Sequence, residues 1–70
     1  MNDLTKKQAE VVKFLRIFIK RAGFPPTRQE ICDHFGWKST NNAEQHLRLI
    51  EAKGYIALSS DRRNTIEILK

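Results

Sequence analysis

From Ser39 to Gly54 the chain reads STNNAEQHLRLIEAKG. Asn41, Asn42 and Gln45 carry carboxamides, which donate and accept at once. Glu44 adds an acceptor and Arg48 a fork of donors. At about 100° per residue these residues lie opposite an apolar face of Ala43, Leu47 and Ile50, with His46 and Leu49 at its border. The chemistry open to such a set is recognition by paired hydrogen bonds. Asn and Gln can bond bidentately to adenine, Glu can accept from the amino group of cytosine, and Arg can bond guanine. The plain alternative is a solvated side of a core helix. For an isolated helix that alternative is the better one, so the flanking segments decide.

The segment has helix boundaries of its own. Ser39 or Asn41 can cap its start, and the Asn41/Glu44 pair has capping-box spacing. Lys53 suits the last turn, and Gly54 can take the left-handed conformation that ends a helix. Upstream, Thr5 and Gln8 form a capping box that opens a helix running to about Arg21. Val11, Val12, Leu15, Phe18, Ile19 and Ala22 recur along it at helical spacing, widened by Phe14 and Ile17. Gly23-Phe24-Pro25-Pro26 breaks that helix. Thr27 and Glu30 then frame a third capping box, and a short helix follows to about Phe35, with Ile31 and Phe35 facing inward. Gly36 ends it, and Trp37-Lys38 leads into the Ser39 helix. Two short helices joined by a tight Gly-containing turn are the helix-turn-helix signature.

After Gly54 the apolar period changes from 3.6 to 2. Tyr55–Leu58 reads as a strand with Ile56 and Leu58 on one face. Ser59–Asn64 is a polar turn, and Thr65–Leu69 alternates again with Ile66 and Ile68 inward. The expected fold is mainly α with a C-terminal β-hairpin, one domain over residues 1–70. A lone hairpin is marginal in water, so this one must pack on the helices.

Composition narrows the partners. The net charge is +5 and the pI about 9.8, which favours an anionic partner such as nucleic acid. Lys6, Lys7, Lys13, Arg16, Lys20 and Arg21 against Asp3 and Glu10 give residues 1–21 a charge of +4, whereas residues 39–54 are neutral. If the partner is DNA, the third helix selects bases while flanking segments hold phosphates. One cysteine excludes an internal disulfide and fits a reducing cytoplasm. No apolar run approaches the ~20 residues of a membrane span, and MNDLTKKQ lacks a signal-peptide core. No nucleophile–base pair, metal set or phosphate loop is visible, so no catalysis, cofactor, metal or small-molecule substrate is expected.

The order of elements and the residues together resemble the N-terminal DNA-binding domains of the LexA repressors, regulators of the bacterial SOS response to DNA damage. The resemblance runs without gaps from Met1 to about Leu69. It rests on Leu4-Thr5 with Gln8 and Glu10-Val11, on Gly23-x-Pro25-Pro26-Thr27-Arg28-x-Glu30-Ile31, and on Gly36 before an aromatic. Ser39-x-Asn41-x-Ala43-Glu44-x-His46-Leu47 and Lys53-Gly54 complete it. It implies a winged helix-turn-helix, three helices plus a two-stranded wing, repressing transcription as a homodimer on a palindromic operator. It also implies that Ser39, Asn41, Asn42, Glu44 and Gln45 lie in the major groove, in agreement with the amide-rich face. Position 42, commonly Ala in the family, is Asn42 here. Position 45, often Glu, is Gln45, and the often Gly-rich wing turn is Asp61-Arg62-Arg63-Asn64. The first two differences bear on which half-site is read. LexA repressors continue into a peptidase domain with a Ser/Lys pair and the dimer interface. The serines here, Ser39, Ser59 and Ser60, are taken by a cap and a turn, so self-cleavage is not expected of this chain.

The expected roles follow. Asn41, Asn42, Glu44 and Gln45 read bases. Arg48 either contacts a phosphate or partners Glu44 at i, i+4. Thr27 caps its helix, whose free amides also suit a phosphate that Arg28 can join. Lys38 and Lys53 are further phosphate candidates, and Arg62 and Arg63 form a basic wing for the minor groove or the backbone. Trp37 packs at the turn, and Cys32 is a small semi-buried residue. The location expected is the bacterial cytoplasm, at the nucleoid. The competing class is a winged-helix protein-interaction module, or a competitor of a full-length LexA-like repressor. Exposed charges beside an amide-rich face argue against it.

Overall fold

A computed structural model describes residues 4–59 and 66–69. The order is α1 (Lys6–Ala22), α2 (Arg28–Phe35), α3 (Thr40–Ala52), β1 (Ile56–Leu58) and β2 (Ile66–Ile68), which is the expected three helices and hairpin. No helix among these residues is long and apolar enough to cross a membrane.

Each helix starts where its cap dictates. The Thr5 hydroxyl accepts from the Gln8 amide at 3.1 Å and Gln8 Oε1 accepts from the Thr5 amide at 3.1 Å. Thr27 and Glu30 repeat this device at 3.1 and 2.8 Å. The first two helices end at glycines with φ 83° (Gly23) and 75° (Gly36), a conformation that costs an L side chain about 1–2 kcal/mol. The turn between α2 and α3 is tied to α2 by three hydrogen bonds, all at Cys32. The Cys32 carbonyl accepts from the Gly36 and Trp37 amides, and the Cys32 thiol donates to the Ser39 carbonyl at 3.2 Å.

Val11, Val12 and Leu15 of α1, Ile31 and Cys32 of α2, and Ala43, Leu47 and Ile50 of α3 meet in one core. Ile56 and Ile66, from the two strands, close it. The strands pair antiparallel with Ile56 opposite Ile68 and Leu58 opposite Ile66. Leu58 and Ile68 are only half-buried, because the hairpin reaches past the edge of the core. Glu51 of α3 fixes the hairpin to the helices: its Oε2 accepts from the Leu58 amide at 2.8 Å.

Two expectations about apolar faces need correction. In the last turns of α1, Phe18 and Ile19 are half-buried and Ala22 is exposed, since the helix outruns the core. Phe18 instead packs its ring against Phe14 and Phe24, at 5.8 and 6.1 Å between centroids. Leu49, expected at the border of the apolar face, is 53% exposed. Trp37 packs at the turn as expected, stacked between Phe35 (4.8 Å) and His46 (4.5 Å).

Candidate nucleic-acid interface

The helix α3 divides its circumference cleanly. Ala43, Leu47 and Ile50 are fully buried, while Asn41, Gln45 and Arg48 are exposed and Asn42 and Glu44 half-exposed. Ser39 is the N-cap, its hydroxyl accepting from the Asn41 amide at 3.1 Å. The helix therefore begins at Thr40, and the Asn41/Glu44 capping box does not form, because Glu44 turns to other partners. Helical geometry sorts the exposed side chains into two edges. Asn41, Glu44 and Arg48 follow one edge, and Asn42, Gln45 and Leu49 follow the other. On the second edge the Asn42 carbonyl accepts from His46 Nδ1 at 2.7 Å, which sets the proton on that nitrogen and holds the ring flat against Trp37.

On the first edge the Glu44 carboxylate is shared by two guanidinium groups. Arg28 Nε donates to Oε1 at 3.0 Å, and Arg48 Nε donates to Oε2 at 2.8 Å. The Arg28 side chain is 16% exposed and that of Arg48 71%. Arg28 thus spans from the first residue of α2 to α3, where it pairs with Glu44. Sequence spacing offers Arg48 to Glu44 but gives no hint of Arg28, which lies 16 positions away. Of the two roles open to Arg48, the pairing with Glu44 is the one formed in the folded chain. These residues line a polar cleft of about 580 Å³ that runs from Thr40 and Asn41 past Glu51 to Leu58 and Ser59.

The remaining expected contacts scatter. The Thr27 hydroxyl is engaged in its cap. Lys38 is exposed in the turn just before the Ser39 cap, next to the amide-bearing end of α3. Lys53 is at the other end of that 13-residue helix, about 20 Å along the axis. There it donates to Gln8 Oε1 at 2.7 Å. Gln8 is a buried polar side chain that the sequence marks only as a capping residue. The structure therefore does not bring Lys53 to the amide-rich end. Arg62 and Arg63 lie outside the described residues. Among the described residues, no three His, Cys, Asp or Glu side chains gather as a metal set. His34 stacks on Phe14 at 4.1 Å.

The LexA DNA binding domain model matches residues 1–65, a span that takes in all three helices and both edges of α3. The chain is 46% identical over 69 residues to a LexA repressor of Aromatoleum aromaticum, covering 99% of this chain and 34% of that protein. It is 46% identical over 66 residues to one of an Azoarcus species, covering 94% and 33%. It is 47% identical over 68 residues to one of Alcanivorax borkumensis, covering 97% and 33%. The chain spans about a third of the length of these relatives. With the helix-turn-helix, the hairpin and the amide-bearing third helix in the arrangement described, and residues 1–65 of the 70 matched by the family model, the chain belongs to the LexA DNA-binding domain family.

Proposed function

We propose that this chain binds double-stranded DNA sequence-specifically in the bacterial cytoplasm and serves as a repressor module. In this reading α3 enters the major groove. Ser39, Asn41, Asn42, Glu44 and Gln45 form the base-facing surface, with the carboxamides of Asn42 and Gln45 suited to adenine. The observation that carries the reading is the exposed amide-bearing face of α3, which makes no contribution to the core that the opposite face builds. Lys38 and the start of α2 lie near this face and supply backbone contacts. Two copies bind the two halves of a palindromic operator, as helix-turn-helix pairs do on sites one helical turn apart.

Selection of bound duplexes from a random pool at moderate salt tests the proposal. A short half-site recurring as an inverted repeat is the expected result. Enrichment of no motif, with binding that vanishes as salt rises, would reduce the interaction to charge and overturn the reading.

A further inference from the structure

We propose that the apolar groove between α1 and α2 is a docking site for an acidic amphipathic helix of a partner protein. The groove has a volume of about 730 Å³ and shares no lining residue with the polar cleft beside α3. It arises where α1 outruns the core. Phe14 and Phe18 of α1 and Phe35 of α2 line it, all half-buried. The Phe14 ring lies 5.8 Å from Phe18 and 5.7 Å from Phe35. Ile17 also lines the groove and is 44% exposed. Phe24, 59% exposed, sets its ring against Phe18 at 6.1 Å and extends the apolar surface. A contiguous apolar surface rimmed by charge marks an interaction site.

The charges on the rim say what the groove takes. Lys13 and Arg21 stand one turn to either side of Ile17, on a strip of α1 about 12 Å long. Both are exposed and line the groove. Among the described residues no ion pair engages either of them. The acidic residue of the lining, Glu10, faces Lys7 at 4.0 Å. Two exposed cations beside an apolar floor are complementary to carboxylates flanking an apolar stripe. The strip also matches the i to i+7 span of a helix laid in a groove, about 10 Å. A second copy of this chain would bring a net charge of +5 against Lys13 and Arg21. An anionic bilayer would meet the cations but leave the half-buried rings of Phe14 and Phe35 unfilled.

The test is a selection of helical peptides from a random library on the whole chain, with binders mapped by shifts of amide resonances. Selected peptides should carry apolar side chains at i, i+3 or i+4, and i+7, flanked by Asp or Glu. They should shift the amides of Phe14, Ile17, His34 and Phe35. Ile17→Glu should weaken such a peptide about tenfold or more. The Lys13→Glu/Arg21→Glu variant should weaken it about threefold or more, and a peptide whose acids are replaced by Lys should recover that loss. All three substitutions fall at exposed positions, and melting curves verify the fold. Should Ile17→Glu unfold, the charge-reversed variant carries the test. Selection of basic peptides or of none overturns the proposal, as do shifts that fall on α3 instead. Equal binding of a shuffled peptide of the same composition reduces the contact to charge and also overturns it. Anionic lipid vesicles that shift these amides where peptides do not, or self-association by sedimentation that Ile17→Glu abolishes, would give the groove another occupant and refute this one. No DNA enters the assay, so its failure and that of the DNA-binding reading are separate.

Discussion

Replacing Gln8 by Ala is expected to loosen the molecule far from the DNA-facing surface while leaving base preference intact. Gln8 is 6% exposed, and one atom of it serves two donors. Oε1 accepts from the Thr5 amide at 3.1 Å, completing the cap of α1, and from Lys53 Nζ at 2.7 Å, tying α1 to the end of α3. A hydrogen bond to a charged group contributes about 1.5–3 kcal/mol, and half a capping box a few tenths more. The sum is about 2–3 kcal/mol. A chain of this size has roughly 4–10 kcal/mol in all. At about 4–8 °C per kcal/mol for a domain of this length, Gln8→Ala should lower Tm by roughly 10–20 °C. Gln8→Glu keeps the acceptor and adds a charge opposite Lys53, so it should recover most of the loss. Melting followed by circular dichroism measures both variants, and the duplex-selection assay, run well below the melting point, reads base preference. A shift under about 2 °C for Gln8→Ala, or a Gln8→Glu variant no more stable than Gln8→Ala, would refute the role given to this bond.

Leu47→Ala opens a cavity at the centre of the core, where the side chain is fully buried. A loss of about 3–5 kcal/mol is expected, enough to leave much of the chain unfolded near ambient temperature by urea titration. Gly36→Ala meets no steric obstacle, so its cost is the left-handed backbone alone, about 1–2 kcal/mol. Gly36→Asn should cost less, by the same titration. Glu51→Ala removes the acceptor of the Leu58 amide and should speed hydrogen exchange at that amide roughly 5–30-fold, the equivalent of about 1–2 kcal/mol. Unchanged exchange would mean that the Glu51 carboxylate does not hold the hairpin. Gln45→Ala should change stability by less than about 0.5 kcal/mol and relax preference at one base pair by about 1–3 kcal/mol, read by competition between duplexes.

The fold was legible in the sequence wherever a local rule sufficed. Thr5/Gln8 and Thr27/Glu30 announce their helices because a capping box needs only residues three apart. Gly23 and Gly36 announce the ends, and the change of period at Gly54 announces the hairpin. The exposed face of α3 was legible for the same reason, since helical geometry alone puts Asn41, Gln45 and Arg48 on one side. What stayed hidden depends on how helices cross. Nothing local says that Arg28 reaches Glu44, that Gln8 meets Lys53 across 45 positions, or that the core ends before Phe18 and Leu49. The Asn41/Glu44 pattern misled because capping-box spacing is permissive, and two guanidinium groups compete better for a carboxylate than one backbone amide does.

The two edges of α3 differ in how freely they can evolve. Gln45 is exposed, and the Asn42 side chain is not what holds its neighbours: its backbone carbonyl bonds His46. A change of side chain at either position alters the surface offered to DNA while the fold keeps its stability. Glu44 is embedded in a contact between α2 and α3, so a change there must be answered at Arg28 and Arg48. If α3 reads bases as proposed, operator preference can drift along one edge by single substitutions, whereas the other edge changes only in concert. Asn42 and Gln45, the two α3 positions that differ from the residues common in LexA repressors, both lie on the unconstrained edge.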